Sequence, residues 1–310
     1  MDSFATMVTP YRADGSVDLD AAERIVQWYY DKGLTGVFAV CQSSEIFFLT
    51  VEEREALAQR VYRKAKALER SGTRRFTVVS SGHVSDDPAA QADELNRICR
   101  AGTDALILIT NRLDPENSGD DVFIANAERL IAQLPPDVPL GLYECPYPYK
   151  RLVTPQILDW CLSTGRFAYM KDTCCDAALI AQRCAQLRGS GFKLLNANCQ
   201  TLLQTLRSGA DGYCGVMANF HPALYAWLCE NGLREPERAE AVQALLGTCG
   251  FTEGGLPYPI TAKYSLSLEG IDSALIARSR PGETLTDYAK GCVRQMKALC
   301  DRAAQQLGIG

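Results

Sequence analysis

The sequence predicts a (β/α)8 TIM barrel followed by a C-terminal helical extension. Three features lead there: eight short apolar runs recur along the first two-thirds of the chain, stretches with helical spacing and marked starts lie between most of them, and only helical patterns follow the eighth run. An open sheet of eight strands would leave two edges to protect, and no G-x-G-x-x-G follows the first run, so closure is favoured over a doubly wound dinucleotide-binding sheet.

Residues 4–8 form the first run. Asp18 then caps a helix whose Leu19, Ala22, Val26 and Tyr29 share one face, and Gly33 ends it. The second run is 36–40. Thr50 and Glu53 have the spacing of a capping box and open a helix with Leu57, Val61, Ala65 and Leu68 on one stripe. Runs three to five are 76–80, 105–109 and 139–143, with Asp87-Pro88 placing a cap residue before a first-turn proline. Thr154-Pro155 repeats that signal before run six, 167–171, and runs seven and eight are 192–196 and 212–216. Residues 238–246 and 286–307 are helical, so the chain divides into a barrel over 1–225 and an extension over 226–310.

With 310 residues, 47% of them hydrophobic and 22% charged, the chain can bury a sizeable core. The net charge of −5 is spread without long runs, which argues against a nucleic-acid or anionic-membrane binder and for small-molecule work. No stretch approaches the roughly 20 apolar residues of a bilayer span, and the N-terminus carries no export signal, so a cytoplasmic location is expected. Thirteen cysteines spread from Cys41 to Cys300 suit reduced thiols better than a disulfide framework. With two histidines, His83 and His221, and no C-x-x-C pair, no metal-ligand pattern stands out, the vicinal Cys174-Cys175 included.

Reactive groups of such a barrel gather at the carboxyl ends of its strands. Lys171 closes the sixth run. A lysine held against apolar walls is pushed toward the neutral amine that attacks a carbonyl to form a Schiff base. Run two ends in Cys41-Gln42-Ser43-Ser44-Glu45, run five in Tyr143-Glu144-Cys145-Pro146, and run eight leads into Val216 and Asn219. An amine, a phenol and a set of hydroxyls on one rim are the parts needed to process a 2-oxo acid.

At these residues the chain resembles the dihydrodipicolinate synthase / N-acetylneuraminate lyase family of class I pyruvate aldolases and lyases, over nearly its whole length. Met7-Val8-Thr9-Pro10-Tyr11 is similar to the family's opening, Ser43-Ser44-Glu45 to its G-[ST]-T-G-E turn, Tyr143-Glu144-Cys145-Pro146 to its Y-x-x-P, and Met170-Lys171-Asp172-Thr173 to its lysine strand. Pro257-Tyr258-Pro259-Ile260 with Lys263 resembles its N-P-x-P-x-K stretch. The resemblance implies that Lys171 forms the Schiff base and Tyr143 moves the proton. It implies that Ser43 binds the carboxylate of the 2-oxo acid, with Gln42 in place of the first turn hydroxyl and Ser44 adjacent.

Two departures separate the chain from the lysine-pathway synthase. Pro148 stands where that enzyme has an arginine, and Leu113 falls near its relay tyrosine. Asn196-Ala197-Asn198-Cys199 replaces the acidic G-x-D-E of the sialic-acid lyases. The expectation is therefore a Schiff-base lyase acting on a 4-hydroxy-2-oxo acid, a 2-keto-3-deoxy sugar acid being one candidate, with dehydration of such an acid or a non-catalytic binding barrel as alternatives. Thr173, Asn198 and Val216 are placed to touch the substrate, and no cofactor or metal is required. Glu144 either reaches a polyol tail or points into the wall, and Arg112, Lys150 and Arg151 are rim charges open to either solvent or a second acid group. A homotetramer is implied, with a dimer as the alternative.

Overall fold

The computed structural model describes residues 1–309, with the backbone alone at 253 and 254. Eight parallel strands close into a barrel in sequence order: β1 Asp2–Thr6, β2 Gly36–Phe38, β3 Thr77–Ser80, β4 Ala105–Ile109, β5 Leu140–Tyr143, β6 Phe167–Asp172, β7 Lys193–Asn196 and β8 Gly212–Gly215. The seam pairs β1 with β8 from Asp2↔Gly212 to Ala5↔Gly215. Gly212 is required there, because its φ of 153° is open to glycine and a β-carbon would collide with the Asp2 carbonyl.

The barrel helices are α1 Leu19–Asp31, α2 Val51–Ser71, α3 Pro88–Ala101, the short α4 Thr110–Leu113, α5 Asp120–Ile131, α6 Pro155–Thr164, α7 Ala177–Leu187, α8 Leu202–Arg207 and α9 Pro222–Asn231. Helices α10 Pro236–Gly254, α11 Ile260–Ser267 and α12 Asp287–Leu307 make up the extension. Residue 225, where the sequence divides the chain, lies inside α9, the helix that completes the eighth βα unit. No helix among the described residues is long and apolar enough to cross a membrane.

The caps act where the residue types require. Asp18 accepts from the N–H groups of Asp20 and Ala21, and Thr50 and Glu53 form a reciprocal box. Asp87, Thr154 and Thr286 each accept an N–H of the following first turn. Strand lengths differ from the apolar runs at several ends. Residues 7 and 8 continue the first run, yet β1 ends at Thr6, opposite Phe38 where β2 also ends; the Met7 N–H still reaches the Phe38 carbonyl at 3.0 Å, and both side chains are buried beyond the strand.

One buried histidine is built into this frame. His83, fully buried, sets Nδ1 3.1 Å from Gln91 Oε1 and accepts the Ile109 N–H at Nε2. Both ring nitrogens are thus committed to one neutral tautomer. Burial lowers its pKa from 6.5 to about 4. Between those values the unfolded chain holds a proton at this position that the native chain does not, so stability is complete above the window and falls as pH drops through it. Relative to His83→Gln, the wild type is expected to lose about 3 kcal/mol across the window, measured by urea unfolding at its two ends. A gap that stays constant with pH would count against this.

Candidate active site

Strands β5 and β6 run in register with Tyr143 opposite Lys171, so the two side chains emerge side by side at the carboxyl end of the barrel. The Lys171 Nζ lies 4.1 Å from the centre of the Tyr143 ring and 5.9 Å from that of Phe38. Phe38 meets Tyr143 edge to face at 5.4 Å, which fixes the phenol ring against the amine. Lys171 is 8% exposed and Tyr143 2%. Burial pushes the Tyr143 phenol well above its ordinary range, so it rests protonated, with its hydroxyl 3.4 Å from Gln42 Oε1.

A cavity of about 670 Å³ opens above this pair, with Lys171, Tyr143, Gln42, Ser43, Thr173 and Val216 among its lining residues. The outer wall includes Phe47, Tyr147, Tyr258, Ser279 and Arg280. Six of the eight expected site residues therefore meet in one space. Ser43 bonds Thr6 Oγ1 at 3.1 Å, and Thr173 bonds the Glu144 carbonyl at 2.7 Å.

Ser44 and Asn198 are placed differently. Ser44 is fully buried behind the turn Gln42–Ser44, its hydroxyl taken up by the carbonyls of Met7 and Ala39 and by the Cys41 N–H. It holds the turn in shape and leaves the cavity to Ser43. Asn198 points back to its own loop, where its carbonyl oxygen accepts from the Thr201 N–H and hydroxyl.

Glu144 points into the wall. Its carboxylate accepts the N–H groups of Val153 and Thr173, both at 2.8 Å, and pairs with Arg183 at 2.7 Å. Arg183 also pairs with Asp172, so one guanidinium joins the residue after Tyr143 to the residue after Lys171. Burial and then the neighbouring Asp172 raise the Glu144 pKa against the opposing pull of Arg183. The sequence signal for Arg183 is its place among Ile180, Cys184 and Leu187, the buried positions of α7, where a charge needs a partner.

The rim charges are engaged elsewhere. Arg112 pairs with Asp86, Lys150 donates to the Thr173 carbonyl, and Arg151 joins Asp114 and Asp120. Leu113 is buried, while its neighbour Asn111 donates to the carbonyls of Cys145, Tyr147 and Tyr149 and holds the loop that follows Tyr143.

A second buried ion pair supports the turn from the extension. Glu45, left-handed at φ 59°, accepts from Lys263 at 3.1 Å and from the Ser279 N–H at 2.9 Å. Lys263 also donates to the Ile276 carbonyl and lies over the Tyr11 ring. Burial lowers its pKa to about 8 against the opposing pull of Glu45. A left-handed non-glycine residue is costly by about 1–2 kcal/mol, and the carboxylate's partners hold it there. The sequence suggested both residues as family matches but not their contact, because they lie in separate parts of the chain.

Residues 1–298 match the model of the Dihydrodipicolinate synthetase family. Among curated relatives, a 4-hydroxy-tetrahydrodipicolinate synthase from Saccharophagus degradans is 26% identical over 275 residues, covering 87% of this chain and 88% of its own. One from Stenotrophomonas maltophilia K279a is 26% identical over 299 residues, covering 94% and 96%. The solved structure of a prophage protein of the dihydrodipicolinic acid synthase family from E. coli K12, in complex with pyruvate, superposes with a TM-score of 0.81 at 20% identity over 100% of this chain and 99% of that one. A monomeric dihydrodipicolinate synthase variant gives 0.82 at 17% identity over 100% and 97%.

Proposed function

Because the chain belongs to the dihydrodipicolinate synthetase family of class I aldolase-type lyases, we propose that it cleaves or forms a 4-hydroxy-2-oxo acid through a Schiff base at Lys171, with pyruvate as the three-carbon product or substrate. The observation that carries this reading is the contact between the Lys171 amine and the Tyr143 ring at the cavity floor.

The amine adds to the substrate ketone, and Tyr143 gives its proton to the departing hydroxyl, which leaves as water. This yields a cationic iminium beside a tyrosinate, so the pair is neutral overall. A phenol whose pKa burial has raised becomes a strong base once deprotonated, and it takes the proton of the substrate 4-hydroxyl as the C3–C4 bond breaks. The bond electrons flow into the iminium and leave an enamine and an aldehyde. Tyr143 then returns the proton to C3, and water releases pyruvate from Lys171. No organic cofactor is needed for this sequence, since the iminium is the electron sink.

Ser43 and the N–H groups of its turn hold the carboxylate through charge-assisted hydrogen bonds, and Gln42 orients the phenol. Thr173 and Val216 flank the reacting carbons. Arg280 lines the same cavity but already donates to the Tyr258 carbonyl and pairs with Glu283, so a neutral hydroxylated tail, as in a 2-keto-3-deoxy sugar acid, suits that side better than a second carboxylate. Pro148 and Leu113 supply neither the arginine nor the phenol that the synthase reaction requires.

Incubation with pyruvate and borohydride is expected to add a reduced adduct to Lys171, read by intact mass and peptide mapping. A folded protein that takes up no adduct would overturn the reading and favour a binding role. A screen of 2-keto-3-deoxy acids then separates carbon–carbon cleavage, which releases pyruvate, from water loss, which does not.

The same proposal includes a homo-oligomer in the cytoplasm, the compartment that keeps the thirteen cysteines reduced. Phe251, Tyr288 and Leu299 stand exposed on the extension and are candidates for the contact, and light scattering distinguishes a dimer from a tetramer.

A further inference from the structure

Three residues far apart in sequence converge where the extension meets the barrel. His221 stands at the start of α9, Cys249 lies in α10 and Cys300 in α12. Their ligand atoms all lie within 4.8 Å of one another, and the two sulfurs are 3.6 Å apart. All three side chains are buried, and none lines the Lys171 cavity. Neither imidazole nitrogen of His221 has a hydrogen-bond partner among the described residues. Its ring is fixed by stacking on Tyr225 at 5.5 Å. A buried imidazole without partners is destabilising unless something else occupies its lone pair.

We infer that His221, Cys249 and Cys300 form a structural zinc site that ties α9 to α10 and α12. Soft thiolate and imidazole donors in this ratio suit zinc, which takes sulfur at about 2.3 Å and nitrogen at about 2.0 Å. Tetrahedral angles at those lengths put the sulfurs about 3.8 Å apart, close to the separation in place before any ion enters. On binding, both thiols lose their protons to solvent and two zinc–sulfur bonds form. Two thiolates and one divalent cation sum to no charge, which is what a buried setting requires. Lys297, the cation facing His221, is neutralised by Glu269 and Asp301. A fourth position remains for water. The spacing of the three residues matches no short motif, so only the fold reveals the cluster.

The test uses the untagged full-length chain purified under reducing conditions without chelator. Metal analysis is expected to find one zinc per chain, retained through gel filtration. Replacement by cobalt(II) should give the thiolate-to-cobalt charge-transfer band and the intense visible bands of a tetrahedral site. Cys249→Ser and Cys300→Ser should each remove the charge-transfer intensity in large part and lower retained zinc at least tenfold, while Cys99→Ser, on α3, leaves both unchanged. Chelation of the wild type should lower its melting temperature, and this arm needs no variant, so a misfolded substitution leaves the test intact. A reduced chain that takes up neither metal would overturn the site. So would undiminished cobalt bands in the serine variants, or a Cys249–Cys300 disulfide in the purified protein.

Discussion

Replacing Lys171 by methionine is expected to leave a folded barrel whose turnover falls by roughly 10⁴ or more, about 5.5 kcal/mol of barrier. Methionine has nearly the reach of the lysine stem and can rest on the same Phe38 and Tyr143 rings, so packing is kept while the attacking nitrogen is lost. Borohydride in the presence of pyruvate should leave this variant untagged. Tyr143→Phe separates the two roles. It retains the amine and the edge-to-face contact with Phe38 but removes the proton that must reach the departing hydroxyl. Its turnover should fall by about 10²–10⁴, with slow trapping by pyruvate still detectable at Lys171. The double variant should be no slower than Lys171→Met, since without the imine there is no proton to move. Substantial turnover by Lys171→Met would end the Schiff-base reading.

The barrel was legible because both faces of a parallel strand are buried, so that each strand writes a nearly continuous apolar run. Residues 105–109 match β4 from end to end, and Asp18, Thr50, Asp87 and Thr154 mark helix starts because an orphan N–H needs a side-chain acceptor. Strand ends were less legible, since apolarity reports burial and not pairing, as Met7 and Val8 show. Lys171 and Tyr143 could be placed together because strand ends define one rim. What lies behind that rim could not. Ser44 and Ser43 are identical in type, and only the fold turns one inward to the Met7 carbonyl and leaves the other facing the cavity. Glu144 could have faced either way until Arg183 supplied the reason, and contacts such as Glu45–Lys263 join segments that no local pattern relates.

That hidden support carries the second large effect. Arg183→Met is expected to destabilise the protein by about 3–5 kcal/mol, because breaking a buried pair leaves charge without compensation. Here one guanidinium serves two fully buried carboxylates, Glu144 and Asp172, which follow directly on Tyr143 and Lys171. The N–H groups of Val153, Thr173 and Cys174 still satisfy part of each carboxylate, but they carry no full positive charge. Without Arg183 the two acids repel, and the native state must take up a proton that the unfolded chain does not hold at neutral pH. The sign follows from that difference: a folded-state pKa raised above the unfolded value makes stability fall as pH rises through the interval between them. The gap between wild type and variant should therefore be widest at neutral pH and should narrow toward acid, approaching closure near the unfolded carboxylate range. Urea midpoints across that span measure it. Arg183→Lys, which restores a charge but not the two-pronged fork, should recover only part of the loss. A pH-independent deficit in Arg183→Met would mean that lost packing of the arginine stem, and not the unpaired acids, sets the cost.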